Sequence, residues 1–194
     1  VGTFLLINAV GAVLAYAVSG PIIDRIGTRV ALLVGSVCVI GSMIGFALIV
    51  TRVQAAAALI LIFGCSLVLG FGANAIVASG HALVAEVADT WRHSALNLLD
   101  ICFGLGLASL PLVVQALQRR GGLELIFLSL GVLTLALLLL IVASRFPVPT
   151  QSHSSGAVEA GSLFANPSFL LLALALFMYV GAEVSVGKWV VTFM

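Results

Sequence analysis

Few residues in this chain can do chemistry, and most stand alone in long apolar surroundings. Glu183 lies about 15 residues into the apolar run 168–193. A carboxyl at that depth can take up and release a proton or hold a polar solute; its plainer role is an interhelical hydrogen bond. Asp100 stands one or two turns into the run 95–117, and Asn97 precedes it by three residues, so the two share a helix face. They can bond a solute hydroxyl or a neighbouring helix end. Asn74 sits deep in the run 55–80 and Asn8 in the run 2–23. Trp189 follows Glu183 by six residues. Its ring can stack on the apolar face of a cyclic solute or anchor at the membrane surface. Lys188 reads as a snorkelling side chain, and its spacing from Glu183 puts it on another face. His81 and His93 bracket AEVADTWR, which reads as a loop with both histidines at the surface.

Other chemistries find no support in the pattern. Cys38, Cys65 and Cys102 all fall in apolar runs without metal-ligand spacing. There is no glycine-rich phosphate loop and no nucleophile set beside a base. The expectation is no enzyme, no metal and no cofactor. The chain is 62% hydrophobic and 8% charged, against about 25% charge in soluble domains. Such a sequence cannot cover a water-soluble globule, so its solvent is the lipid bilayer. A net charge of +1 without a basic patch excludes nucleic acid as a partner.

The elements that hold these residues are transmembrane helices. About 20 apolar residues cross a bilayer as a helix, and lipid offers no partner to unpaired backbone. Six runs qualify: 2–23, 30–50, 55–80, 95–117, 123–144 and 168–193. The fold class is therefore all-α integral membrane. The stretch RFPVPTQSHSSGAVEAGSLFAN, residues 145–166, reads as a polar linker between two helical bundles. Residues 1–144 then form the first bundle, and 167–194 begin the second. Arg25, Arg29, Arg92 and Arg145 fall on one side, and Arg52, Arg119 and Arg120 on the other. The first set is placed in the cytoplasm. A chain that starts in the cytoplasm would need one more helix before Val1, so it is expected to be a piece cut at both ends.

Between the first two runs lies SGPIIDRIGTRVALL, with three charges in six residues. Gly27 suits a turn with positive φ, and Asp24 suits a helix N-terminus. Gly20, Asp24, Arg25, Gly27 and Arg29 resemble the pattern G-x-x-x-D-[RK]-x-G-R-[RK] of the major facilitator superfamily, with a departure at Thr28. That family carries the pattern between its second and third helices. The resemblance implies a partial major facilitator bundle, about six helices of an expected twelve, with the linker in the family's central cytoplasmic loop. It implies that Asp24 and the arginines latch the two bundles on the cytoplasmic side. It also implies a solute site near the midplane between the bundles, completed by the missing helices of the same full-length chain.

Two stretches narrow the resemblance. ALNLLDICFGLGLASLPLV, residues 95–113, is similar to the fifth helix of the fucose–galactose–glucose:proton symporters. MYVGAEVSVGKWVVTFM, residues 178–194, resembles the seventh helix of that group and of fucose permease-like relatives, at Tyr179, Val180, Gly181, Glu183, Gly187 and Trp189. The fourth helix of the fucose permease carries an acid; here that stretch offers Asn74 instead. The resemblance implies a secondary active transporter of a bacterial inner membrane, moving a sugar with protons by alternating access. Glu183, Asp100, Asn97, Asn74 and Trp189 are its candidate binding residues. The isolated piece is not expected to transport alone. The alternatives are a drug/proton antiporter, against which the lack of a full G-x-x-x-G-P-x-x-G-G pattern argues, and a non-transporting membrane scaffold.

Overall fold

A computed structural model of the protein describes residues 2–53, 55–144, 146 and 165–193. The side chains of residues 55, 56, 89, 176 and 183–193 lie outside that description. The described residues are helical throughout, without strands. They form α1 (Gly2–Ile26), α2 (Thr28–Arg52), α3 (Ala55–Val87), a short 3-10 turn (Asp89–Trp91), α4 (Arg92–Ala143) and α5 (Pro167–Phe193). The first four α-helices are each long and apolar enough to cross a membrane. The chain divides into two compact units, 1–150 and 151–194. Most of the expected linker, 145 and 147–164, falls outside the described residues.

One element differs from the sequence expectation. The third span was expected to end at residue 80, yet α3 stays helical to Val87. AEVADTWR is therefore mostly helix end and 3-10 turn, and His81 belongs to α3. Charge in that stretch ends the hydropathy run, but charge alone does not break a helix. The spans 95–117 and 123–144 are two arms of α4, joined by a break at Gly122. A straight helix of 52 residues would extend about 78 Å, over twice the hydrocarbon thickness. Gly122 has φ 70° and ψ −163°, a conformation essentially confined to glycine.

Contacts give the directions of the helices. Asn8 of α1 bonds Ser66 of α3, and Gly11 abuts Leu67 and Phe71, so α1 and α3 run parallel. Gly35 of α2 meets Gly72 and Ile76 of α3, while Gly45 meets Cys65, so this pair is antiparallel. The first arm of α4 runs against α3, as the His81–Asp100 contact requires. Its second arm runs against α2: Phe46 stacks on Phe127 with centroids 5.2 Å apart, and Arg29 reaches Val142. The chain therefore reverses at Gly122. One end of the bundle holds Arg25, Arg29 and Arg92, and the other holds Arg52, Arg119 and Arg120.

Small residues fill the interior. Among the described residues the largest fully buried side chains are Ser36, Ser42, Ser66 and Ser79. Three of them donate to the carbonyl four residues back. Ser66 instead donates to Phe4 O across the α1–α3 contact. Large apolar side chains such as Leu6, Val13, Ile60 and Leu133 point outward. A bundle packed in lipid shows this arrangement, because burial of leucine between helices gains little over burial in acyl chains. An apolar cluster does form near the Arg52 end, where Met43, Phe46 and Ile49 meet Phe4, Leu69 and Leu130.

Gly41 and Gly45 form a GxxxG pair, but only Gly45 touches a neighbouring helix, at the Cys65 thiol. The tightest approaches involve α3. A Cβ on Gly70 would fall on the Asn8 carbonyl, and one on Gly72 would fall on Cys38 and Gly35. Gly104 on α4 faces open space. Gly70→Val is expected to lower the melting temperature in detergent, at a cost of about 1–3 kcal/mol. Gly104→Ala should leave stability unchanged or raise it by up to about 1 kcal/mol. Equal melting temperatures for Gly70→Val and the parent would refute the close α1–α3 approach.

Candidate functional site

The end of the bundle that carries the charged turn is built first by Gly27. Gly27 is the single residue between α1 and α2, with φ 99° and ψ 158°. Side chains rarely adopt that φ, so glycine is required. Its N–H closes α1 on Ile22 O and Ile23 O, at 3.3 and 3.0 Å. Gly27 and Thr28 are buried, while Gly20, Asp24 and Arg25 are exposed. Asp24 occupies the last turn of α1, so it does not cap α2, whose N-cap is Gly27 without a side-chain bond. Among the described residues Asp24 has no ion-pair partner.

Arg29 has partners on another element. Its Nη2 donates to Val142 O at 2.7 Å. The guanidinium also lies 5.8 Å from the centroid of the Phe146 ring, within cation–π reach. Val142 O is among the last four carbonyls of α4, which have no donor within the helix. A cation at a helix C-terminus is favoured by the dipole as well. The motif's second arginine thus pins the start of α2 to the end of α4.

The candidate solute and proton residues are distributed rather than gathered. Asn74 lies on α3, part-buried, and its Nδ2 donates to Gly70 O at 2.8 Å, within its own helix. Asn8 is an interhelical tie: its Nδ2 donates to Ser66 O at 3.1 Å. Asn97 and Asp100 lie one turn apart on the first arm of α4, both exposed. The backbone of Glu183 and Trp189 is helical within α5, and their side chains lie outside the described residues. Asn166 caps this helix, its Oδ1 accepting from Ser168 N at 3.0 Å. Pro167 then takes the first helical position, where its missing N–H costs nothing.

The residue that sequence reading missed is His81. Its Nε2 lies 3.0 Å from Asp100 Oδ1, and its Nδ1 lies 2.8 Å from Val77 O. Asn74 precedes it by two helical turns, so both share one face of α3. His81 also lines a cavity of about 450 Å³ with Leu32, Phe103, Leu137, Ile141 and Phe146 among its walls. The signal that finds this pair is register. His81 and Asp100 are equidistant from the turn at residues 90 and 91, and equidistant residues face each other in an antiparallel helix pair.

The bundle thus combines closely packed spans, a charged turn held by one arginine, and a few intramembrane polar groups. The Major Facilitator Superfamily matches this sequence over residues 1–194. The chain belongs to that family. No curated protein and no solved structure matches it. Members of the superfamily are transporters, so this is a multi-pass secondary transporter chain that handles a small-molecule solute in the membrane.

The Arg29 contact predicts a local effect. In Arg29→Ala, amide hydrogen exchange at residues 140–144 should rise, with a stability loss of about 1 kcal/mol. Arg25→Ala should leave those amides at the parent's rates. Equal exchange in Arg29→Ala and the parent would show that the guanidinium does not hold that helix end.

Proposed function

We propose that this transporter is a proton-coupled symporter of a small polar solute, a sugar, in the fucose permease-like branch of the superfamily. The observation that carries the reading is the placement of carboxyl and amide groups within apolar helices. Asn74, Asn97 and Asp100 sit inside helices whose other residues suit lipid, and Glu183 lies well inside α5. Polar groups at such depth are costly unless they serve a path for ions or solute. Amides and carboxylates bond sugar hydroxyls, and a carboxyl can also carry the coupling proton.

In this reading Glu183 is the principal acid, with Asp100, Asn97 and Asn74 as further polar contacts. Trp189 stacks on the apolar face of the sugar ring. The Tyr179–Trp189 pattern supports the branch. The end that carries Gly27 faces the cytoplasm, with residues 145–166 as the linker there and Gly20, Asp24, Arg25, Gly27 and Arg29 as the gating motif. The membrane is a bacterial inner membrane.

The test is uptake by the full-length protein in membrane vesicles, with an imposed proton gradient and a panel of labelled monosaccharides. One sugar should accumulate only with the gradient, and Glu183→Gln should abolish that accumulation. If no sugar accumulates, the sugar-symport reading is wrong, while family membership stands.

A further inference from the structure

We infer that the cavity between α2, α3 and the two arms of α4 holds an acyl chain of a membrane phospholipid, with the lipid's phosphate bound at Arg29. The inference goes beyond the symport reading and does not depend on it.

The interior of the cavity suits only an apolar guest. It has a volume of about 450 Å³, and its walls include Leu32 of α2, Ile76 of α3, Phe103 of the first arm, and Leu137 and Ile141 of the second. Among the described residues no carboxylate, lysine or arginine lines it. Its two polar side chains, His81 and Ser144, are already engaged. His81 Nδ1 lies 2.8 Å from Val77 O, and its Nε2 lies 3.0 Å from Asp100 Oδ1. Ser144 Oγ donates to Leu140 O at 2.7 Å. A sugar or an ion in that space would lose its water and gain almost no partners. Apolar cavities of about 150 Å³ stay dry and take apolar guests, and this one is larger. In a bilayer the apolar guest at hand is a lipid chain.

The extent of the cavity fits a chain as well. Its walls run from Leu137 to Ser144 along the second arm, and from Ile76 to Val84 along α3. These stretches cover about 10–12 Å of helix axis. One leaflet contributes about half of the ~30 Å hydrocarbon core, so the cavity takes up most of a leaflet's depth.

The polar end of such a molecule finds a partner where the second arm ends. Phe146 lines the cavity beside Ser144. The Arg29 guanidinium lies 5.8 Å from the centroid of the Phe146 ring, and Leu32 stands one turn on from Arg29. Arg29 is exposed. Its one hydrogen bond among the described residues, to Val142 O, uses one of five N–H donors. No carboxylate pairs with it among the described residues. A guanidinium so placed matches a phosphate, whose oxygens accept its parallel N–H groups. An apolar slot that ends at such an arginine needs both a chain and an anion, and a phospholipid supplies both.

Gly80 gives a direct test. It lies on the cavity wall, and a Cβ there would meet nothing within 4 Å. A leucine at that position occupies the space without pushing helices apart. Native mass spectrometry of the full-length protein in detergent, titrated with dioleoyl phosphatidylglycerol, reads the first lipid bound. Arg29→Gln should weaken that binding by about tenfold, as loss of one charged hydrogen bond does. Gly80→Leu should weaken it at least as much. Leu137→Trp fills the same space from the second arm and should behave alike. Gly104→Leu, also placed in open space but outside the cavity wall, should bind as the parent does. Parental affinity in both Gly80→Leu and Leu137→Trp overturns the place of the chain, and so does an equal loss in Gly104→Leu. Parental affinity in Arg29→Gln overturns the phosphate contact. Displacement of the lipid by inorganic phosphate would make this a free-anion site, and equally tight binding of dodecanol would make it a neutral apolar site. Either result overturns the phospholipid.

Discussion

The structure depends on how closely α3 can approach α1 and α2. In lipid, apolar side chains gain nothing by leaving acyl chains for one another, so cohesion must come from contact density and from hydrogen bonds. Gly70 brings the α3 backbone against Asn8, and Gly72 brings it against Gly35 on another side. That proximity is what lets Asn8 bond Ser66 O and Ser66 bond Phe4 O. These bonds span a gap that larger side chains would hold open. The helices are thus tied by atoms that most soluble cores exclude, and α3 serves as the common element.

The connections obey the same economy of space. Gly27 reverses the chain in a single residue, and Gly122 breaks a helix too long for the bilayer. Both use backbone conformations that few side chains tolerate. Short connections among the described residues leave helix ends close together, which is why Arg29 can reach a carbonyl 113 residues away in sequence. The charged turn therefore works within this unit as a tie between helix ends.

Much of this was legible in the sequence. Length and hydropathy located α1 and α2 to within a few residues, because lipid imposes a narrow range of lengths on apolar helices. The glycine at position 27 was readable as a positive-φ turn, since its neighbours were helical on both sides. The end of α3 was not readable from hydropathy. Glu86 interrupts the apolar run without ending the helix, so His81 was misplaced in a loop. The roles of Gly41 and Gly45 were not separable either, because helix face depends on neighbours that local spacing does not name. Asp100 was recognised as a candidate, but its partner required the register of two helices across a turn.

That register also explains why an ionisable pair can sit where it does. A lone carboxylate or imidazolium near lipid would face a large desolvation cost. Here each group has a partner: His81 Nε2 lies 3.0 Å from Asp100 Oδ1, and its Nδ1 lies 2.8 Å from Val77 O. On the arm beyond it, residues 101–113 are all exposed, so few other contacts oppose a change there. By contrast, α1, α2 and α3 are locked by backbone approach and buried serines. Among the described residues the one contact between ionisable side chains thus falls on an arm that is otherwise mostly exposed.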